Sequence, residues 1–129
     1  MADEFDVVDI VFEAVKAADT GLIPYKDSSA TGERRAHITV RSLIVNEKDY
    51  VNKANVNVNV FIPKIDRSGM MNRPDMMSVV RTVKKALREI RSPYGMYWNS
   101  RIVWSEPMGE AKEGFDCTNI RLEVITELD

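Results

Sequence analysis

Two side chains in this 129-residue sequence are of types that commonly serve as nucleophile, base or soft metal ligand near neutral pH: one histidine, His37, and one cysteine, Cys117. A single cysteine excludes an internal disulfide and a four-thiolate zinc site. A single histidine leaves no room for His-cluster metal sites, and any Ser-His-Asp arrangement would have to use that one ring. No serine, cysteine or carboxylate stands at a telling spacing from His37, so a structural or solvated ring is expected. Cys117 reads as a small, half-buried side chain. Glu110 and Glu113 are close in sequence, but no apolar run surrounds them to raise a carboxyl pKa. Glycine-rich nucleotide loops and a nucleophile elbow are both absent. The expectation is a protein without catalytic, cofactor-binding or metal-ligating residues.

Residue types suited to binding are more prominent. Asn55, Asn57 and Asn59 alternate with Val56, Val58 and Val60. Asparagine is a poor strand former, so this row needs a reason. Either it is an exposed polar sheet face, or it packs on another subunit, where amides donate and accept hydrogen bonds without burying charge. Arg81, Lys84, Lys85, Arg88 and Arg91 place five cations within eleven positions. Such a face could meet phosphates, but no aromatics are interleaved for stacking on bases, and a solvated or partner-facing surface is the better reading. Met70, Met71 and Met108 fit no buried stripe and suit an adaptable partner surface.

The elements that must carry these residues follow from periodicity. From Asp3 to Ala18, Val8, Val11, Phe12, Val15 and Ala18 mark one stripe of an amphipathic helix that Gly21 ends. Leu22, Ile23 and Tyr25 suit a short strand, and Lys26–Arg35 an exposed loop or hairpin tip. Ala36–Val45 reads as a strand. Val51–Ile62 is the strongest strand signal, and at roughly 3.3 Å per residue it would span the whole domain before Pro63 ends it. Lys64–Arg73 is a loop. A helix begins near Asn72–Asp75, buries Met76, Val79, Val80, Val83, Leu87 and Ile90, and stops at Ser92-Pro93. Tyr94–Asn99 reads as an aromatic turn. Arg101–Ser105 should be a strand with Ile102 and Trp104 on one face, Glu106–Asp116 an acidic loop, and Asn119–Thr126 the closing strand. Consecutive strands favour antiparallel neighbours, with the helices covering one side. The fold class is α+β: a two-layer domain spanning 1–129, with a mostly antiparallel sheet of four to five strands and two helices on one face.

A formal net charge of −2 hides segregation: residues 1–20 carry −5, residues 21–72 +3, residues 73–101 +5 and residues 105–129 −5. These segments can neutralise one another within the fold, or meet on neighbouring copies as unlike patches do in head-to-tail rings. The hydrophobic fraction of 44% and charged fraction of 29% suit a soluble, intracellular domain, and no apolar window is long enough to cross a membrane.

The strand Ala54-Asn55-Val56-Asn57-Val58-Asn59-Val60-Phe61-Ile62-Pro63 resembles a long strand of the "VVNVNIHVP" type in small tail proteins of Bacteroides-type prophages. The Arg73-Pro74-Asp75 helix start and the Asn119-Ile120-Arg121-Leu122-Glu123 strand follow in the same order and spacing. The chain is in these respects similar to tail-terminator, or tail-completion, proteins of long-tailed phages, over roughly residues 5–126. It departs at Lys26–Arg35, where the family tends to carry an Arg-Pro-containing hairpin and this chain has Asp27-Ser28-Ser29-Ala30. The resemblance implies a structural protein of the virion tail or neck, assembled in the host cytoplasm. It implies a ring, usually a hexamer, that caps the tail tube, stops its polymerisation and joins it to the head connector. DNA would pass through the lumen without specific binding, and no cofactor or membrane is involved. On this reading Asn55, Asn57, Asn59, Met70, Met71, Arg81, Lys84, Lys85 and Arg88 are the candidate subunit or partner contacts. A different neck protein, or a small nucleic-acid-binding module using Arg81–Arg91, are the alternatives.

Overall fold

The acidic start of the chain winds into helix α1 (Glu4–Ala17), whose buried residues Val7, Val8, Val11 and Val15 recur at helical spacing. The computed structural model describes residues 4–47, 51–65, 69–91 and 98–127. Past the helix, Asp19 and Gly21 adopt positive φ (55° and 78°) and turn the chain into strand β1 (Ile23–Lys26). Strands β2 (His37–Glu47) and β3 (Val51–Pro63) follow, then helix α2 (Arg73–Arg88) and strands β4 (Trp98–Lys112) and β5 (Phe115–Glu127). The sheet order is β1-β2-β3-β5-β4. It is antiparallel throughout except that β1 runs parallel to β2.

The long valine-rich strand is the spine of the sheet. β3 lies between β2 and β5, and its core face, Val56, Val58 and Val60, is completely buried. Burying a valine side chain contributes about 1.5 kcal/mol, so this face alone anchors the layer. Ile38 and Val40 of β2 and Ile120, Leu122 and Val124 of β5 extend the same face, and the valines of α1 with Met76, Val79, Val80, Val83 and Leu87 of α2 close over it. Both helices therefore share one side of the sheet. Asn72 caps α2, its side-chain oxygen accepting from the Asp75 backbone N–H, and Pro74 sits in the first turn.

Five sequence expectations need correction. Residues Glu106–Asp116 are not a loop: β4 continues to Lys112, a two-residue turn at Glu113-Gly114 reverses the chain, and β5 begins at Phe115. Pro107 and Gly109 make this half of β4 look loop-like, but β4 is an edge strand, where a missing N–H is tolerated and register shifts occur around Ile102–Trp104, Pro107–Gly109 and Gly109–Lys112. The first of these shifts also breaks the expected pairing of Ile102 with Trp104 on one face. Ile102 stays opposite Leu122 on the core side, whereas Trp104 stands opposite Arg121 on the outer side. Of the two readings of Lys26–Arg35, the exposed loop holds and the hairpin tip does not, because the segment crosses over between parallel strands. α2 ends at Arg88, before the expected Ser92, and β4 begins at Trp98 rather than Arg101. The Tyr94–Tyr97 part of the expected aromatic turn lies outside the described residues.

Candidate assembly surfaces

Strand alternation places Asn55, Asn57, Asn59 and Phe61 on the outer face, away from the helices. Two of the three asparagines are tied across the sheet. Asn119 of β5 donates from Nδ2 to Asn59 Oδ1 at 2.7 Å, and the Trp104 indole of β4 donates to Asn119 Oδ1 at 2.5 Å. Arg121 donates from Nε to Asn57 Oδ1 at 3.3 Å, and its guanidinium lies 4.6 Å from the Trp104 ring centre. Asn55 stands opposite Glu123 in the register, and Glu123 in turn accepts from Arg101 at 3.2 Å. Asn57 and Asn59 thus belong to a network spanning three strands. Asn119, only 6% exposed, needs such partners because an unpaired buried amide is costly. On the β4 edge of this face Trp104 remains 44% exposed beside Arg121. Tryptophan and arginine are the residue types enriched at binding hot spots.

At the β1 end of the same face His37 is completely buried. Its ring stacks on Phe61 at 4.7 Å between centres and meets Tyr25 and Phe115 edge-on. The crossover 27–36 covers it: Tyr25 donates from its hydroxyl to Glu33, and Lys112 reaches Ser29 at 3.2 Å. His37 Nδ1 lies 2.7 Å from the Arg35 carbonyl oxygen, which fixes Nδ1 as the donor in the neutral ring and leaves Nε2 to accept from Lys112 Nζ at 3.4 Å. Burial first, then the Lys112 ammonium, hold the imidazole pKa below its ordinary value, although the Arg35 carbonyl acts the other way. Glu33 is held well below the usual carboxylate range by its bonds from Arg35 and Tyr25. Cys117 is buried rather than half-buried, and burial pushes its thiol up to about 11, so the reactive thiolate is scarce at neutral pH. Glu110 and Glu113 lie exposed on β4 and its turn.

The basic residues of α2 divide between two sides. Met77, Arg81, Lys84 and Arg88 lie toward β4, where Met71, Met77, Arg81, Lys84 and Pro107 border a groove of about 280 Å³. Lys85 faces the other way, into a shallow alanine-lined groove of about 520 Å³ between α2 and α1. Met70 is exposed and its carbonyl accepts from the Ile65 N–H at 2.8 Å, and Met71 packs half-buried against the core. The candidate contacts therefore fall on two separate surfaces, the asparagines on the outer sheet face and the cations and methionines on the helical side. Sequence reasoning missed Trp104, Asn119 and Arg121 as members of the outer face. The bulge after Ile102 hides Trp104, but the β5 alternation of Asn119, Arg121 and Glu123 with Ile120 and Leu122 was a readable signal.

Among the described residues no cluster of three or more His, Cys, Asp or Glu is placed to hold a metal ion. No described helix is long and apolar enough to cross a membrane. No family model and no curated protein matches the sequence. Among solved structures, a chain from the virion of a native gene transfer agent particle matches with a TM-score of 0.66, covering 92% of this chain and 92% of that one at 10% identity. At that identity the likeness establishes the shared α+β fold.

Proposed function

We propose that this protein is a structural component of a phage-like virion, acting in assembly rather than catalysis. The observation that carries the reading is the fold shared with a gene transfer agent virion chain over nine-tenths of both molecules. The sealed His37 ring and the buried, protonated Cys117 agree with it, since neither presents reactive atoms to a substrate. Within that class the role supported by the strand and helix-start resemblance is tail termination. Copies close into a ring, of six by analogy with such proteins, that caps the tail tube, halts its growth and offers a seat to the head connector, with DNA passing through the lumen.

The test is direct. Purified protein should run as a closed oligomer in mass photometry and show rings in negative stain. Added to polymerising tail tube, it should fix tube length by binding one end. Rings that leave tube growth unchanged point instead to another neck protein. A monomer with salt-dependent DNA affinity would overturn the assembly reading in favour of nucleic-acid binding through α2.

A further inference from the structure

The two margins of the sheet are unlike. α1 lies over β1 and β2, and α2 over β3, β5 and β4, so the helices border opposite edges. On α1, Phe5, Asp9 and Phe12 follow i, i+4, i+7 and share one side. That side faces the β1 margin, because Lys26 of β1 pairs with Asp9 at 2.9 Å and its ammonium sits 4.9 Å from the Phe12 ring centre. Glu13 and Asp27 also act on the Lys26 charge, leaving three acids against one base there. Phe5, one turn further toward the helix start, is 68% exposed at this acidic margin.

The opposite margin is its complement. Met77, Arg81, Lys84 and Arg88 follow i, i+4, i+7, i+11 along α2, and the groove between this stripe and β4 has methionine and proline walls, Met71, Met77 and Pro107, with Arg73, Arg81 and Lys84 around it. A cavity of about 150 Å³ accommodates a benzene ring, so a groove of about 280 Å³ has room for a phenylalanine side chain. Thioether sulfur favours aromatic rings and cations favour their faces.

We infer that Phe5 of one copy seats in the methionine-walled groove of the next, with the acidic β1 margin of the first against the basic α2 margin of the second. Knob and socket lie on opposite edges of one chain, so the contact is heterologous and repeats head to tail. An isologous dimer through the groove would set Arg73, Arg81 and Lys84 of one copy against the same cations of the other. The inference rests on the assembly reading above and gives it a specific contact.

Two experiments on the full chain test it. In a Cys117→Ser background, Phe5→Cys combined with Met77→Cys should give a ladder beyond the dimer with a short bis-maleimide, while each single cysteine gives at most dimers. Separately, Phe5→Asp should raise the concentration for half-assembly on the order of tenfold or more, with an unchanged circular dichroism spectrum and melting temperature. Rings that persist in Phe5→Asp, with no ladder from the double cysteine, overturn this contact while the ring reading stands. A wild-type chain that stays monomeric at every concentration overturns both.

Discussion

His37 shows how one residue's chemistry is settled by its neighbours. Its ring is enclosed by Tyr25, Phe61 and Phe115, donates to the Arg35 carbonyl and accepts from Lys112. Charging it would bury a second cation beside the Lys112 ammonium, so the folded protein holds its pKa below 6.5, the ordinary value. A base whose pKa is lowered on folding binds protons more readily when unfolded. Stability from this group is therefore complete above the unfolded pKa and declines as pH falls through that value toward the folded one. Denaturation midpoints of the wild type should begin to fall below pH 6.5, before most carboxylates titrate. His37→Phe keeps the aromatic packing and should flatten that part of the profile, at the cost of leaving the Arg35 carbonyl without the imidazole donor. Equal slopes for the two proteins between pH 6.5 and about 5 would remove His37 from the explanation.

The β4–β5 hairpin is the element on which the outer face depends. It carries Trp104 and Asn119 to the same side, and it turns through Glu113-Gly114 with Gly114 at φ 80°. A Cβ there would meet open space, so any penalty of Gly114→Ala comes from the backbone conformation alone. Left-handed φ costs a non-glycine residue about 1–2 kcal/mol, and chemical denaturation should show a loss of that size. The Gly114 carbonyl also accepts from the Lys64 N–H at 3.0 Å, close to where the Lys64 ammonium pairs with the buried Asp116 at 2.9 Å. Turn and loop are thus fastened together. A wild-type denaturation midpoint in the alanine variant would mean that the turn tolerates a different geometry. β4 is paired along β5 to Lys112, so residues 106–112 are held in the sheet rather than in a loop.

At the scale of the molecule, the cations of one helix face two different ways. Arg81 and Lys84 look toward β4, whereas Lys85, one residue along, borders the α1 groove. Reversing Arg81 and Lys84 together to glutamate should slow ring assembly and weaken its dependence on salt. Lys85→Glu should have little effect on either. Exposed charge pairs are worth roughly 0–1 kcal/mol and are screened over about 10 Å at 0.1 M salt, so the change should appear chiefly in the assembly rate. Light-scattering kinetics at several salt concentrations distinguish the variants. If Lys85→Glu slows assembly as much as the double reversal, the α1–α2 groove is the charged contact instead.

Long uninterrupted patterns were legible in the sequence. The valine alternation of β3, the stripes of α1 and α2, the capping Asn72 with Pro74 and the Gly21 stop each encode a local conformation, and together they imply two helices over one sheet face. For His37 the sequence leaves a structural ring and a solvated one both open, and only the tertiary packing encloses it under the crossover. What the sequence left open arose from contacts between distant segments. The extension of β4 through Pro107 and Gly109 depends on β5 supplying hydrogen bonds along one edge, and the bulge after Ile102 redirects Trp104 toward Asn119 and Arg121. Asn57 and Asn59 find their partners only once β5 lies beside β3, and Lys84 and Lys85 differ only once α2 is wedged between α1 and the β4 margin. Local periodicity is set by the backbone repeat of each element; strand order, bulges and the surface a charge faces are set by which elements pack side by side.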